Sequence, residues 1–227
     1  MKRKLKIILM KLFRNKIIAK KFPNNTIAHD NVFWDFFMKD YEKGRAYLSI
    51  REMHNIYNLV QQTSKIDGDI AEVGVYKGGS AKVIAEFRGD KSLHLFDTFE
   101  GMPEVNSSID LHKKGDFNDT SLEGVKNYLS EYKDVNFYKG YFPASLEGTN
   151  CETLKFSFVN LDVDIYEGTK SGLEFFYDRV NRGGIILSHD YRSISCPGVK
   201  KAFDEFFSDK PEQVIQLWDT QCLVVKM

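Results

Sequence analysis

The pattern of hydrophobic and polar positions changes at about residue 69. Before that point, the segment 45–64 places its apolar residues mostly on one face at helical spacing, which predicts an amphipathic helix. Beyond it, short apolar runs alternate with amphipathic segments. The runs predict strands at 69–75, 92–98, 135–140, 155–163 and 183–190, and the segments between them predict helices at 79–88, 120–132, 167–180 and 198–208. This alternation is typical of a parallel sheet whose crossover helices cover both faces.

The end of the chain departs from that alternation. Apolar runs at 214–219 and 222–227 are separated only by Thr220 and Gln221. A link of this length permits a hairpin but is too short for a parallel crossover. We therefore predict a doubly wound α/β fold, with a mostly parallel, seven-stranded sheet that finishes in a C-terminal antiparallel hairpin.

The first 44 residues differ from the rest and are predicted to form a separate N-terminal segment ahead of a domain spanning 45–227. Residues 1–21 carry nine Lys or Arg, no acid, and apolar residues at helical spacing. They predict a basic helix. This helix is either exposed to solvent or packed on a partner, or it makes peripheral contact with an anionic membrane. Its apolar run is too short and too interrupted by Lys to span a bilayer. Residues 22–44 mix turn formers with aromatics, which predicts a linker or a mobile lid.

Composition and charge narrow the class of protein. The chain is 42% apolar and 28% charged, as is usual for a soluble globular protein. Outside the basic head it holds 23 basic and 32 acidic residues, so we expect no nucleic-acid partner. Cys151, Cys196 and Cys222 are widely spaced and predict reduced, buried thiols in a cytoplasmic protein. The basic head adds the prediction of a location at the inner face of the membrane.

A glycine-rich turn, "EVGVYKGGS", follows the first predicted strand and runs into a helix. Gly74, Gly78 and Gly79 permit tight turns and close approach of a ligand, and Ser80 is a candidate helix cap. A ligand here would lie at the carboxyl ends of the strands, where open α/β sheets bind small molecules. The dinucleotide pattern G-x-G-x-x-G is absent, and Glu72 suits a cationic ligand better than a pyrophosphate. The alternative is a tight turn with a structural glutamate.

A second acid marks the end of the next strand. Asp97 follows Glu72 by 25 residues, in "LFDTFEG". An acid at this place commonly binds ribose hydroxyls, although Asp also caps helices. An acid near the glycine turn and another at the second strand fit a nucleoside that bears positive charge. S-adenosylmethionine, a sulfonium compound with an amino-acid tail, is such a ligand.

The stretch "FVNLDVDIYE" turns from apolar to acidic at its end. Asp162 and Asp164 end one predicted strand, and His189 and Asp190 end the next, so all four are expected at neighbouring strand tips. A hard divalent cation such as Mg²⁺ would relieve the repulsion between the carboxylates. The alternative is that the aspartates cap the following helix, whose first turn contains Glu167. His189 is open to three interpretations: a ligand, which would favour Zn²⁺, Mn²⁺ or Fe²⁺; a general base; or a structural residue.

Several of these segments, taken in order, resemble the macrocin O-methyltransferase family of class I S-adenosylmethionine-dependent methyltransferases. The resemblance spans roughly residues 45–225. It rests on "GDIAEVGVYKGGS", "LFDTFEGMPE", "GDFNDT", "KGYFPASL", "LDVDIYEGTKSGLEFFYDRVNRGG" and "SHDYRSISCPGVKKAFDEFF". It implies a Rossmann-like fold and an enzyme that transfers a methyl group to a hydroxyl of a sugar in a surface glycan, a nucleotide sugar or a glycosylated natural product.

The resemblance also implies a set of site residues. The cofactor set falls on Glu72, Gly74, Gly78, Ser80, Asp97 and Phe99. The ligands of a divalent metal, usually magnesium, fall on Asp162, His189 and Asp190. His189 is a departure, because relatives more often carry an acid there, and it leaves the identity of the metal open. Asp162 is the first choice for the catalytic base and His189 the second.

Acceptor binding and alternative functions are less defined by the sequence. The long connection 99–118 and the aromatic stretch 33–47 are predicted to form the acceptor cleft, with Trp34, Phe36 and Phe37 either stacking on sugar faces or packing under a lid. The resemblance also implies a homo-oligomer. Two other interpretations stay open: a nucleotide- or NAD-dependent sugar-modifying enzyme, and a non-catalytic ligand-binding or membrane-associated scaffold.

Overall fold

A computed structural model describes residues 26–227. The predicted basic helix at residues 1–21 lies outside the described residues, so its membrane contact stays a prediction. Within the described part of the chain, no helix is both long and apolar enough to cross a bilayer.

The elements follow the predicted alternation, with shorter bounds. The helices are α1 (Thr26–His29), α2 (Asn31–Lys43), α3 (Ile50–Gln62), α4 (Gly79–Phe87), α5 (Leu122–Tyr128), α6 (Tyr166–Phe176) and α7 (Pro197–Phe206). The strands are β1 (Asp69–Val73), β2 (Leu93–Asp97), β3 (Val135–Lys139), β4 (Phe156–Leu161), β5 (Val180–Ser188), β6 (Ile215–Gln216) and β7 (Cys222–Val225). Short 3₁₀ turns occur at Ala144–Leu146 and Cys151–Thr153.

Helix α3 begins five residues later than predicted because Ser49 caps it. The Ser49 hydroxyl accepts a hydrogen bond from the Glu52 amide, and the Glu52 carboxylate accepts one from the Ser49 amide. This reciprocal pair satisfies two amides that a helix end leaves open.

The predicted sheet is confirmed. Its seven strands run in the order β3-β2-β1-β4-β5-β7-β6. Strands β1 to β5 pair in parallel with their neighbours among one another. Strand β7 pairs antiparallel with both β5 and β6. The C-terminal run at 214–219 contributes only two residues to the sheet, so this strand is much shorter than expected.

Two hydrophobic cores lie on opposite faces of the sheet, as a doubly wound fold requires. Alternate residues of β1 point to different cores: Ile70 packs with residues of α2, α3 and α4, whereas Ala71 packs with residues of α6 and α7. Every residue of β4 is buried, as expected for a central parallel strand.

The aromatic stretch that was predicted as a linker or lid is largely core. Helix α2 buries Phe33, Trp34 and Phe37 with at most 6% of any of them exposed, and Phe36 packs edge-on against Phe87 at 5.3 Å between ring centroids. None of Trp34, Phe36 and Phe37 reaches the cavity described below, so the prediction that they stack on a sugar is wrong. Their apolar side chains, at helical spacing, are better buried than exposed.

The register of the sheet brings three strand ends to one level. Val73 of β1 pairs with Leu161 of β4, and Leu161 pairs with Ser188 of β5. The next residues along the three strands are Gly74, Asp162 and His189. Residues far apart in sequence therefore meet at the carboxyl edge.

A buried ion pair fixes the C-terminal strand, and it generates a stability prediction. The Glu212 carboxylate accepts hydrogen bonds from Lys226 at 2.9 Å and from the Tyr177 hydroxyl at 2.8 Å. Burial opposes ionisation, but these partners lower the pKa of Glu212 to about 2. This lies below the unfolded value of about 4.3, so the pair stabilises the fold above that pH and the contribution is lost as pH falls towards 2.

We expect Glu212→Gln to lower the free energy of unfolding at pH 7 by about 2 kcal/mol, measured by urea denaturation. The difference from the parent protein should shrink between about pH 4 and pH 2. Glu104→Gln is the matched control, because the Glu104–Lys114 pair is exposed and should contribute little. Equal effects of the two substitutions would contradict the prediction.

Candidate active site

A cavity of about 350 Å³ opens at the carboxyl edge of the sheet. Its wall includes three residues of the predicted cofactor set, Gly74, Ser80 and Asp97, and the three predicted metal ligands, Asp162, His189 and Asp190. The other three members of the cofactor set, Glu72, Gly78 and Phe99, do not line it. The sheet thus places both predicted groups of residues around one space.

Glu72 lies in the interior of the sheet and not at the cavity surface. It is completely buried, and the Asn160 side-chain amide donates a hydrogen bond to its Oε1 at 2.8 Å. Its Oε2 has no hydrogen-bond partner among the described residues. Burial raises the pKa of Glu72 to about 8, so the exposed anion that the sequence suggested is not what the fold provides.

Asp97 organises the glycine turn from the neighbouring strand. Its Oδ2 accepts hydrogen bonds from the amides of Val75 at 2.6 Å and Tyr76 at 2.9 Å, and its Oδ1 accepts one from the amide of Phe99 at 2.5 Å. The Phe99 ring itself packs in the core, 6.5 Å from that of Phe137. Phe99 therefore holds Asp97 through its backbone and presents no side chain to a ligand.

The start of α4 differs from the expected cap. The residue before the helix is Gly78, in the left-handed conformation at φ 80°, and no side chain caps the helix there. Ser80 is the second residue of α4, with its side chain largely buried at the cavity wall. Gly78 therefore forms the turn before the helix, and Ser80 lines the cavity and does not cap the helix.

His189 lies among three carboxylates at the other side of the cavity. Its Nδ1 is 2.6 Å from Asp190 Oδ2 and 3.1 Å from Asp162 Oδ1, and its Nε2 is 3.3 Å from Glu52 Oε1. Burial opposes protonation of the imidazole, but the surrounding carboxylates raise the pKa of His189 well above its ordinary value. The imidazolium provides the positive charge that keeps these acids together.

Glu52 is the member of this group that the sequence did not reveal. It lies on α3, far from the strand ends in sequence, and its Oε1 also accepts a hydrogen bond from the Thr220 hydroxyl at 2.8 Å. Burial opposes its ionisation, but His189 lowers the pKa of Glu52 to about 2. The sequence shows only that Glu52 is the third residue of a helix that Ser49 can cap. That pattern predicts a helix start and gives no indication of a functional site.

The cluster offers a set of ligand atoms to a divalent cation. Asp162, Asp164, His189 and Asp190 each direct one ligand atom into a group whose members lie within 4.8 Å of one another. Asp164 and Asp190 both adopt the left-handed conformation, at φ 61°, which turns their side chains out of the strand direction. Three carboxylates and one imidazole fit a cation with oxygen ligands and one nitrogen ligand.

Aromatic side chains form the mouth of the cavity. The rings of Tyr47 and Tyr76 meet edge to face at 4.8 Å, and Phe117 continues the row at 5.3 Å from Tyr76. Tyr141 lies on the same rim, and Tyr47, Phe117 and Tyr141 are all more than a third exposed. Exposed aromatic faces around a polar floor suit a ligand with both apolar and hydroxyl surfaces.

The macrocin O-methyltransferase (TylF) family matches residues 42–223. The chain belongs to this family of O-methyltransferases. The match covers the sheet except for the last two residues of β7, and it includes both groups of site residues, so it confirms the resemblance found in the sequence.

Two curated relatives from Streptomyces are O-methyltransferases, and the name of one of them contains a rhamnosyl group. A demethyldecarbamoylnovobiocin O-methyltransferase of Streptomyces niveus is 28% identical over 177 residues, which is 70% of this chain and 66% of the relative, so the match spans just under two thirds of that enzyme. An 8-demethyl-8-(2,3-dimethoxy-alpha-L-rhamnosyl)-tetracenomycin-C 4'-O-methyltransferase of Streptomyces olivaceus is 27% identical over 216 residues, 86% of this chain and 82% of the relative.

Solved structures of other methyltransferases share the fold. The O-methyltransferase NovP superposes with a TM-score of 0.69 at 24% identity, over 80% of this chain and 82% of NovP. A calicheamicin methyltransferase superposes with a TM-score of 0.67 at 19% identity, over 92% of this chain and 88% of the other. The Rossmann-like architecture of the macrocin O-methyltransferase family is therefore present here.

The close approach of the Gly74 backbone to the Asp162 backbone generates a stability prediction. Its φ is 86°, and a Cβ on it would lie 1.8 Å from the backbone oxygen of Asp162. We expect Gly74→Ala to lower the free energy of unfolding by more than about 2 kcal/mol, measured by urea denaturation, because the backbones must separate.

Gly89→Ala is the matched control for Gly74→Ala. Gly89 is also left-handed, at φ 65°, but a Cβ there would meet nothing within 4 Å. That substitution should lower stability by only about 1 kcal/mol, the effect of the backbone conformation alone. The same loss in both variants would show that the contact with Asp162 is unimportant.

Proposed function

We propose that the protein transfers the methyl group of S-adenosylmethionine to a hydroxyl group of a sugar, with a divalent cation bound beside the acceptor. The observation that carries the proposal is the convergence of Asp162, His189 and Asp190 on the cavity that Gly74 and Asp97 also line. Membership of the macrocin O-methyltransferase family supports the reaction type.

The glycine turn and Asp97 are the proposed site of the methyl donor. The turn approaches the cavity with no side chain at Gly74, and Asp97 lies at the end of the second strand, where an acid suits ribose hydroxyls. Oδ2 of Asp97 accepts from two backbone amides, whereas Oδ1 accepts from the Phe99 amide and has a second lone pair for a hydroxyl. The aromatic row from Tyr47 to Phe117 lies on the same wall and suits an adenine ring.

Asp162, His189 and Asp190 are the proposed ligands of the cation, with Asp164 within reach. Bound there, a divalent cation would supply a Lewis acid that lowers the pKa of an acceptor hydroxyl. Its binding requires His189 to give up its proton, because a ligating imidazole must be neutral. Glu52 would then orient the ring, since a metal-ligating histidine usually donates its other N–H to a carboxylate or carbonyl.

Asp162 is the better candidate for the catalytic base. Both nitrogens of His189 already face carboxylates, and its raised pKa keeps it protonated in the absence of a cation, so it has no free lone pair to accept a proton. The Asp162 carboxylate lines the cavity between the glycine turn and the acid cluster. That position suits accepting the hydroxyl proton as the methyl group transfers in line.

A sugar is the proposed acceptor because one relative is named for methylating a rhamnosyl tetracenomycin, and one structural neighbour is titled a TDP-rhamnose methyltransferase. The exposed rings of Tyr141 and Phe117 at the cavity mouth provide apolar surface for the face of a sugar ring. The acidic floor provides acceptors for its hydroxyl groups.

We expect Asp162→Asn and Asp190→Asn each to lower kcat by about 10²- to 10⁴-fold, measured with labelled S-adenosylmethionine against a panel of glycosides and nucleotide sugars. Activity of the parent protein should fall on chelation and return with Mg²⁺. Asp209→Asn, an exposed acid far from the cluster, is the control. Full activity in both site variants would contradict the assignment.

Donor binding is tested separately by calorimetry. Asp97→Ala should lower the affinity for S-adenosylmethionine by about 10- to 100-fold. The substitution removes the hydrogen-bond acceptor for the ribose hydroxyls and loosens the glycine turn. Asp162→Asn should change donor affinity much less. NAD in place of the methyl donor tests the other enzyme class, and tight NAD binding with no heat from S-adenosylmethionine would overturn the proposal.

A further inference from the structure

A second cluster of potential ligands lies beside the one already described. The Cys196 thiol is 3.6 Å from His112 Nε2 and 3.7 Å from Asp164 Oδ1, and ligand atoms of all three residues lie within 4.8 Å of one another. All three line the cavity. His112 and Cys196 have no part in the proposed methyl transfer.

The spacing of these atoms matches a tetrahedral metal site before any metal is added. Zn²⁺ binds thiolate sulfur at about 2.3 Å and imidazole nitrogen or carboxylate oxygen at about 2.0–2.2 Å. In a tetrahedron with those bond lengths, sulfur lies about 3.6 Å from either of the other two ligands. The observed distances of 3.6 and 3.7 Å agree with that edge length. In the metal-free protein the same distances let the thiol hydrogen-bond with both groups, and a bound metal would take the place of its proton.

The histidine of this cluster also has the outer partner that zinc ligands usually have. His112 Nδ1 is 3.1 Å from Asp116 Oδ2, so the ring has a carboxylate on one nitrogen and the cluster on the other. A carboxylate in this position fixes the tautomer with Nε2 free to ligate and holds the orientation of the ring. The arrangement is an observation independent of the two Cys196 distances.

We propose that His112, Asp164 and Cys196 form a binding site for Zn²⁺ or a similar thiophilic divalent cation, adjacent to the acid cluster around His189, with which it shares Asp164. Cys196 binds as the thiolate, and its proton passes to solvent when the metal enters. Three protein ligands leave a fourth position open to the cavity, as in zinc sites that keep a water or another small ligand. The donor set is softer than that of the acid cluster, so the two sites differ in metal preference.

An occupied site would link three segments that surround the cavity. His112 lies in the connection between β2 and α5, Cys196 directly precedes α7, and Asp164 follows β4. The metal would therefore add a link between the connection and the carboxyl edge of the sheet. The proposal does not depend on methyl transfer, since its ligands can be tested by metal binding alone.

Titration of the metal-free full-length protein with Co²⁺ tests the site. Co²⁺ replaces Zn²⁺ in tetrahedral sites, and a thiolate ligand gives a sulfur-to-cobalt charge-transfer band that oxygen and nitrogen ligands do not give. The acid cluster around His189 has no thiol, so any such band reports on a cysteine. We expect the band in the parent protein, and we expect Zn²⁺ to displace the Co²⁺ and abolish it.

Variants assign the band to the three residues. Cys196→Ser, His112→Ala and Asp164→Asn should remove it or reduce it severely, whereas Cys151→Ser and Cys222→Ser, which alter the other two buried thiols, should retain it. Asp116→Asn should lower the affinity for Zn²⁺ by about 10- to 100-fold, measured by calorimetry. Circular dichroism checks that each variant is folded, and His112→Ala, in a connection between elements, is the variant least able to disturb the core.

The outcomes are separable from those of the proposed function. Asp190→Asn should impair methyl transfer and leave the cobalt–thiolate band in place. A parent protein with no band, a band that survives in Cys196→Ser, or a band that survives in both His112→Ala and Asp164→Asn would overturn the metal site. None of these results would bear on Asp162 as the catalytic base.

Discussion

The backbone hydrogen bonds that continue past the ends of the central strands hold the site together. The Gly74 amide donates to the Phe96 carbonyl, the Asp162 amide to the Val73 carbonyl, and the His189 amide to the Leu161 carbonyl, each at 2.9 Å. The sheet therefore imposes its spacing on the first residue beyond each strand. Without that extension, Asp162 and His189 would lie on loops whose positions the core does not determine.

This geometry forces carboxylates together, and the charges must then be balanced. Asp162, Asp190 and Glu52 approach a single imidazole, and burial makes an unpaired charge in this place costly. An imidazolium or a divalent cation satisfies the same requirement, so His189 and a metal are alternative sources of positive charge at one location. His189 thus provides the positive charge in the absence of a metal, and its imidazole would become a ligand if a metal were bound.

The sequence predicted what depends on local pattern and failed where distant contacts decide. The mostly parallel sheet and the closing hairpin follow from alternation and a two-residue link, and the convergence at Asp162 and His189 follows from parallel pairing. The pattern did not show that Glu72 is buried, because an acid in a strand carries no mark of the face it occupies. Helix α2 was missed because turn-forming residues before Phe33 masked a helical spacing of aromatics. Glu52 and His112 reach the site only through tertiary packing.

The long connection between β2 and α5 has a defined position although it has no helix or strand between residues 98 and 121. Asp110 is buried, and its carboxylate accepts a hydrogen bond from the amide of Tyr166, the first residue of α6. Gly198 at the start of α7 leaves the space for it, because a Cβ there would lie 2.1 Å from the same Asp110 oxygen. Anchored on two helices in this way, the connection presents His112 and Phe117 as a fixed wall of the cavity, so an acceptor would meet a preformed surface on this side. Recognition of the acceptor should then depend on shape as well as on the acids of the floor, since a rigid wall excludes ligands that a mobile lid would admit.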